Sequence, residues 1–171
     1  MLGSVFIVAL GAFATTQGRS SSATKTTASW GLYTPAGWAS VRSGLARRGF
    51  VSSSVHVVTG TALANGQPFA LIGGRSHEGR SCFAVARGTS LGGTICHLSK
   101  PVTVFLAGTT RTMLALVRGD VTVTMIRGGH ESGIGVVPAG KDFAFNTSPV
   151  GHGDQLRARD AHGHVLANIR F

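Results

Sequence analysis

From Phe50 to Phe171 the chain is built on a period of two, apolar side chains alternating with Ser, Thr, Arg or Gly over stretches of five to eight residues. VSSSVHVVTGTAL and QPFALIGG flank Ala64-Asn65-Gly66. Asn-Gly tolerates the positive φ angles of a type I′ turn, so a hairpin closed by that turn is predicted. Further strands are predicted at CFAVAR, TICHL, VTVFLA, TMLALV, VTVTMIR, IGVVP, DFAFN, QLRAR and VLANIRF, parted by Gly-, Asp- and Pro-bearing turns. In the last of these Val165, Ala167, Ile169 and Phe171 share one face, and Leu166, Asn168 and Arg170 the other.

The period changes only near residues 35–48. There Thr34 stands as N-cap, Pro35 at the first helical position, and Trp38, Val41 and Leu45 on one stripe, with Arg47 and Arg48 ahead of Gly49. A short helix is predicted. Gly37 and Gly44 each cost it about 1 kcal/mol relative to Ala, so it must dock its Trp38 face on the sheet to persist. Strands this short, without crossover helices, exclude a parallel sheet and predict an all-β antiparallel β-sandwich, favoured over a closed barrel. No internal repeat of 20 to 50 residues is present.

The pattern fails before residue 31. Leu2 to Ala14 reads LGSVFIVALGAFA, uncharged and apolar, and ends in the small-x-small triplet Ala12-Phe13-Ala14 of a signal-peptidase site. Residues 1–14 are therefore expected to be a signal peptide cut after Ala14. The alternative is a membrane anchor spanning residues 2–18, since the basic n-region is missing and a start further upstream would lengthen the run toward a full span. Residues 15–30 are Ser/Thr-rich and read as a flexible spacer, which leaves 31–171 as one mostly β domain. The expected location is extracytoplasmic, either secreted or anchored to the cell membrane.

Composition adds two points. Hydrophobic residues make up 43% of the chain, enough to bury a core, and 25 glycines suit many tight turns. The net charge of +10 favours an anionic envelope polymer, a lipid surface or an acidic protein as partner. The arginines are scattered apart from Arg47 and Arg48, with no lysine run and no aromatic-interleaved basic strand, which disfavours nucleic acid. Arg42, Arg47 and Arg48, close together on the predicted helix, are the candidate contacts for an anion.

Two cysteines in an exported chain predict a disulfide between Cys82 and Cys96, which fall in neighbouring predicted strands. Gly88-Thr89-Ser90-Leu91-Gly92 matches the nucleophile-elbow spacing and makes Ser90 a candidate nucleophile, but the following residues lead into a strand where an elbow needs a helix, so a loop is favoured. The tail holds His152, Asp154, Asp160, His162 and His164. Two imidazoles spaced His-x-His on a strand share a face and can share a metal, which makes His152, Asp160, His162 and His164 candidate ligands. Asp160-Ala161-His162-Gly163 is also good turn chemistry, with Asp closing the turn and Gly at positive φ, and that reading is preferred. His77-Glu78 and His130-Glu131 read as loop tips. No P-loop, dinucleotide fingerprint, zincin helix or EF-hand loop occurs, so no cofactor is expected.

LVRGDVTVTMIRGG, GVVPAGKDFAFN and RARDAHGHVLANIRF, with the cysteines of GRSCFAVAR and TICHL, resemble small secreted β-sandwich proteins of high-GC Gram-positive bacteria. The resemblance covers about residues 55–171 and implies the fold; it carries no activity. The function expected from the sequence is a non-enzymatic exported envelope module. A small hydrolase using Ser90 or the His/Asp tail, or the ectodomain of a membrane sensor, are the alternatives.

Overall fold

The structure is a computed structural model that describes residues 31–109 and 111–171. The expected signal peptide or anchor and the Ser/Thr-rich spacer lie outside the described residues. Within them helix α1 (Pro35–Ala46), a 3-10 turn (Ser52–Ser54) and twelve strands follow in order: β1 (His56–Ala62), β2 (Pro68–Arg75), β3 (Ser81–Arg87), β4 (Ser90–Ile95), β5 (Val102–Ala107), β6 (Thr112–Val117), β7 (Thr122–Arg127), β8 (His130–Gly133), β9 (Val137–Ala139), β10 (Asp142–Thr147), β11 (Gln155–Arg159) and β12 (Val165–Arg170). All pairings are antiparallel.

The strands form three four-stranded sheets. Sheet I is the meander β1-β2-β3-β4, sheet II runs β5-β6-β10-β9, and sheet III runs β12-β11-β7-β8. The expected all-β, sandwich-like architecture is present, with one more sheet than a simple sandwich holds. Alternation along each strand assigns the layers. In β2, Ala70 and Ile72 pack toward α1 with Val41, Leu45, Cys82 and Ala84. Phe69 and Leu71 point the other way, onto Leu114, Leu116 and Ala144 of sheet II. In β6, Met113, Ala115 and Val117 turn from those leucines toward Val123, Met125, Leu156 and Ala158 of sheet III. The order of layers is therefore helix, sheet I, sheet II, sheet III. With apolar partners on both sides, β6 is buried at every position, each fully buried Leu or Met contributing about 1.5–3 kcal/mol.

Helix α1 starts as its sequence predicts: the Thr34 side chain accepts a hydrogen bond from the Gly37 N–H at 3.1 Å, and Pro35 occupies the first turn. Gly49 at φ 87° ends it, and the Phe50 N–H returns to the Leu45 carbonyl at 3.1 Å. Val41 and Leu45 carry the docked face, with Trp38 half-buried beside them against Tyr33. Gly44, a cost to the isolated helix, has a packing reason: a Cβ there would lie 2.7 Å from the Leu91 Cδ1 of β4.

Three hairpins share one turn. Ala64-Asn65-Gly66, His77-Glu78-Gly79 and Ala161-His162-Gly163 each bridge two strands, with the glycine at φ 75°, 78° and 85°. The first was expected as a type I′ turn, which needs positive φ at Asn65 as well. Among the described non-glycine residues only Arg111 has positive φ, so the loop is instead the three-residue kind that ends in a left-handed glycine. One added residue, Ala64, shifts the need for positive φ onto Gly66 alone.

Candidate functional site

Cys82 and Cys96 form the expected disulfide, and neither is a free thiol. The pairing of Phe83 with Ile95 puts them opposite each other on β3 and at the end of β4, with Cys82 buried in the helix-side core. The bond ties the edge strand of sheet I to its interior.

The other sequence candidates do not converge. Ser90 is the first residue of β4, exposed, after the two-residue turn Gly88-Thr89 with Gly88 at φ 57°, as a type II′ hairpin requires. No helix follows, so the elbow geometry is missing. His152 and Asp154 precede β11, whereas Asp160, His162 and His164 follow it; five strand residues part the two groups by about 17 Å at roughly 3.4 Å per residue. Sheet II stands between all of these and Ser90.

Asp160 does close its turn, as the sequence reads. Its Oδ1 accepts from the His162 and His164 N–H groups, each at 2.9 Å, and its Oδ2 from the His164 Nδ1 at 3.0 Å. Burial raises the Asp160 carboxyl, but these hydrogen bonds outweigh it and hold the group below its usual range. The His162 and His164 rings lie 6.1 Å apart. Among the described residues no three His, Cys, Asp or Glu side chains are grouped to hold a metal. His77-Glu78 and the start of β8 at His130 sit at hairpin tips.

Of the candidate anion contacts, Arg48 is engaged within the fold. Its guanidinium donates to the Leu91 carbonyl at 3.0 Å and to the Gly92 carbonyl, which caps the free edge of β4. Arg47 donates to the Ser43 hydroxyl at 2.9 Å. Arg42 is half-buried, and its Nε lacks a hydrogen-bond partner.

A concave site that the sequence reading missed opens where sheet I outruns sheet II. In the register of β1, β2 and β3, His56 pairs with Gly73, Gly73 with Phe83, and Arg75 with Ser81. These residues continue the row of Phe69 and Leu71, the face turned to sheet II. Only the short β9 and its turn, Val137, Pro138 and Gly140, face them, and a groove of about 610 Å³ is left between. Gly73 makes room for it: a Cβ there would lie 2.8 Å from Val58 Cγ2 and 3.1 Å from the His56 Nε2. A second hollow of about 330 Å³, lined by Arg80, His97, Lys141 and Asp142, shares Ser81 and Phe83 with the first.

Hydrogen bonds order this mouth. The Ser54 hydroxyl donates to the Val51 carbonyl at 2.7 Å and accepts from the Arg75 N–H at 2.8 Å. The His56 Nδ1 lies 2.9 Å from the Ser54 carbonyl oxygen, which only accepts, so Nδ1 carries the proton and the neutral ring keeps an acceptor at Nε2.

Charge is unevenly satisfied over the molecule. Each carboxylate has a partner: Glu78 with Arg80, Asp120 with Arg118, Glu131 with Arg157 and Arg159, Asp154 with Arg127, Asp160 with His164, and Asp142 with the Gly119 N–H. Glu131, on the outer face of sheet III, is held down to about 2 by the Arg159 guanidinium, with help from the Thr124 hydroxyl. Arg75, Lys100, Lys141 and Arg170 carry no ion pair among the described residues.

These features define the class: a disulfide-linked, all-β, sandwich-like protein of three antiparallel sheets with a polar groove at one interlayer mouth. No family model matches the chain, and neither the curated proteins nor the solved structures provide a match.

Proposed function

We propose that this chain is an exported, non-enzymatic module of the cell envelope that contacts an anionic partner through its basic surface. The observation that carries the proposal is the distribution of charge. All six acidic side chains are satisfied at home, so the surplus of basic side chains among the described residues has no acidic partner within the fold. Surplus positive potential raises the encounter rate with polyanions and binds them through many weak contacts. The disulfide supports the compartment, because such bonds persist where the surroundings are oxidising. Among the described residues no helix is long and apolar enough to cross a membrane.

The test is retention of the purified disulfide-linked protein on envelope material over a salt series. Raising ionic strength from about 0.01 M to 1 M shortens the Debye length from roughly 30 Å to 3 Å, so retention at low salt should be lost across the series. Absence of retention at low salt refutes the electrostatic basis.

A further inference from the structure

The groove at the mouth of sheets I and II asks for a particular ligand chemistry. Its strongest donor is the Arg75 guanidinium, exposed and without an ion pair among the described residues. A planar donor fork of this kind is matched by a carboxylate or a phosphate. Across the β1–β2 pairing stands the His56 Nε2, an acceptor because Nδ1 is tied to the Ser54 carbonyl. An anionic oxygen does not satisfy that acceptor; a hydroxyl does, by donating to it. Ser81 adds a hydroxyl that both donates and accepts, whereas the Ser54 hydroxyl, already donating to the Val51 carbonyl, has only an acceptor lone pair to offer. The fitting ligand therefore carries an anionic group with free hydroxyls beside it.

Its extent follows from the shape. The two hollows share Ser81 and Phe83 in their linings and so lie side by side, an extent that suits a chain better than a small molecule. Of the rings lining the two hollows Phe83 is buried and His56 half-buried, which leaves His97 as the exposed one and no run of rings for successive bases to stack on. Lys141 supplies a second cation in the further hollow. Asp142 lies there too, buried, with its Oδ1 accepting from the Gly119 N–H at 3.1 Å. It repels an anion at that end, which puts the charged group of the ligand near Arg75.

We infer that this groove binds a stretch of acidic glycan, with its carboxylate or phosphate on Arg75 and a neighbouring sugar hydroxyl donating to the His56 Nε2. The inference rests on the reading of the protein as a binder of anionic envelope material and names the ligand class and the place. In the glycan the charge and the hydroxyl are held on one ring or on adjacent rings, which matches the diagonal placement of Arg75, two residues beyond the Gly73 that pairs with His56.

Titration calorimetry on the disulfide-linked protein tests it with four probes: an oligogalacturonate, a phosphorylated oligomannose, an uncharged oligomannose and a single-stranded DNA. At least one acidic sugar should bind, and it identifies whether the anion is carboxylate or phosphate; the uncharged sugar and the DNA should bind about tenfold more weakly or worse. Arg75→Gln and His56→Phe should each weaken the acidic sugar by about tenfold, while Arg47→Gln, outside the groove, leaves it unchanged. Arg75 is exposed, so its variant folds even if the half-buried His56→Phe does not. Equal loss in Arg75→Gln and Arg47→Gln, or DNA binding that matches the sugars, overturns the groove while leaving a general basic surface in place. Absence of retention on envelope material at low salt overturns both.

Discussion

Removing the Cys82–Cys96 cross-link should destabilise the fold by an amount that the chain itself sets. The two cysteines are 14 positions apart, closing a 15-residue loop. Loop-closure arithmetic for that length gives about 3 kcal/mol at 25 °C, all of it from releasing the unfolded chain. A second, smaller contribution is local. The Cys82 sulfur fills space between α1 and sheet I at 1% exposure, and deleting it leaves a void costing about 1 kcal/mol. Two perturbations separate the contributions. Reduction of the native protein breaks the link and keeps both sulfur atoms; C82A/C96A removes link and atoms together. Urea titration followed by far-UV circular dichroism should show the reduced protein shifted by about 1–3 M, for a slope of roughly 1–3 kcal/mol per M, with the double variant lower again. A loss below about 1 kcal/mol on reduction refutes the loop-closure account. It would mean that the Gly88-Thr89 turn already holds β3 and β4 together in the unfolded chain, leaving the bond little freedom to remove.

Glu131 makes the acid limb of stability testable. Its carboxyl is held near 2 against an ordinary value of 4.5, so its contribution is complete above about 4.5 and is lost as pH falls toward 2. Thermal midpoints of Glu131→Gln should fall less steeply than those of the native protein through that window, and parallel profiles refute the Arg159 and Thr124 hydrogen bonds as the cause. Gly119 tests a backbone approach. A Cβ there would overlap the Lys141 carbonyl oxygen, and a backbone atom cannot rotate aside, so Gly119→Ala should cost about 1–3 kcal/mol in chemical denaturation; an unchanged midpoint refutes the close approach.

What could be read in the sequence was local. Thr34-Pro35 and Gly49 mark both ends of α1, the Asp160 turn is legible from Asp and Gly at their spacing, and Ala167, Ile169 and Phe171 do lie on the core side of β12, whereas Val165, expected with them, is exposed opposite Arg159 beyond a register irregularity. The third sheet was not legible, because it depends on which hairpin pairs with which: β6 skips to β10 and β7 to β11. A signal for it existed in TMLALV and FALIGG, whose unbroken apolar runs indicate strands covered on both faces. The groove was hidden for a related reason. His56, Gly73, Arg75 and Ser81 come together only through the register of three strands, and the β1 register is displaced by an irregularity between Val57 and Thr59 that alternation alone does not reveal. The charge pattern was legible as a total but not as pairs. Arg47 and Arg48 stand out in the sequence, yet Arg48 is bonded to β4, and the unpaired Arg75 looks like any other strand terminus.

The interleaving of the last four hairpins bears on how the chain assembles. Sheet I needs only sequence neighbours, each strand zipping onto the one before it. Sheets II and III take hairpins by turns, β5-β6, then β7-β8, then β9-β10, then β11-β12, so neither is complete until the other is almost complete. Contacts that close late in the chain carry the larger loop entropy and set the pace of folding. The meander is therefore a fast local unit and the other two sheets one slow cooperative unit, with β6 as the seam where the two rates meet.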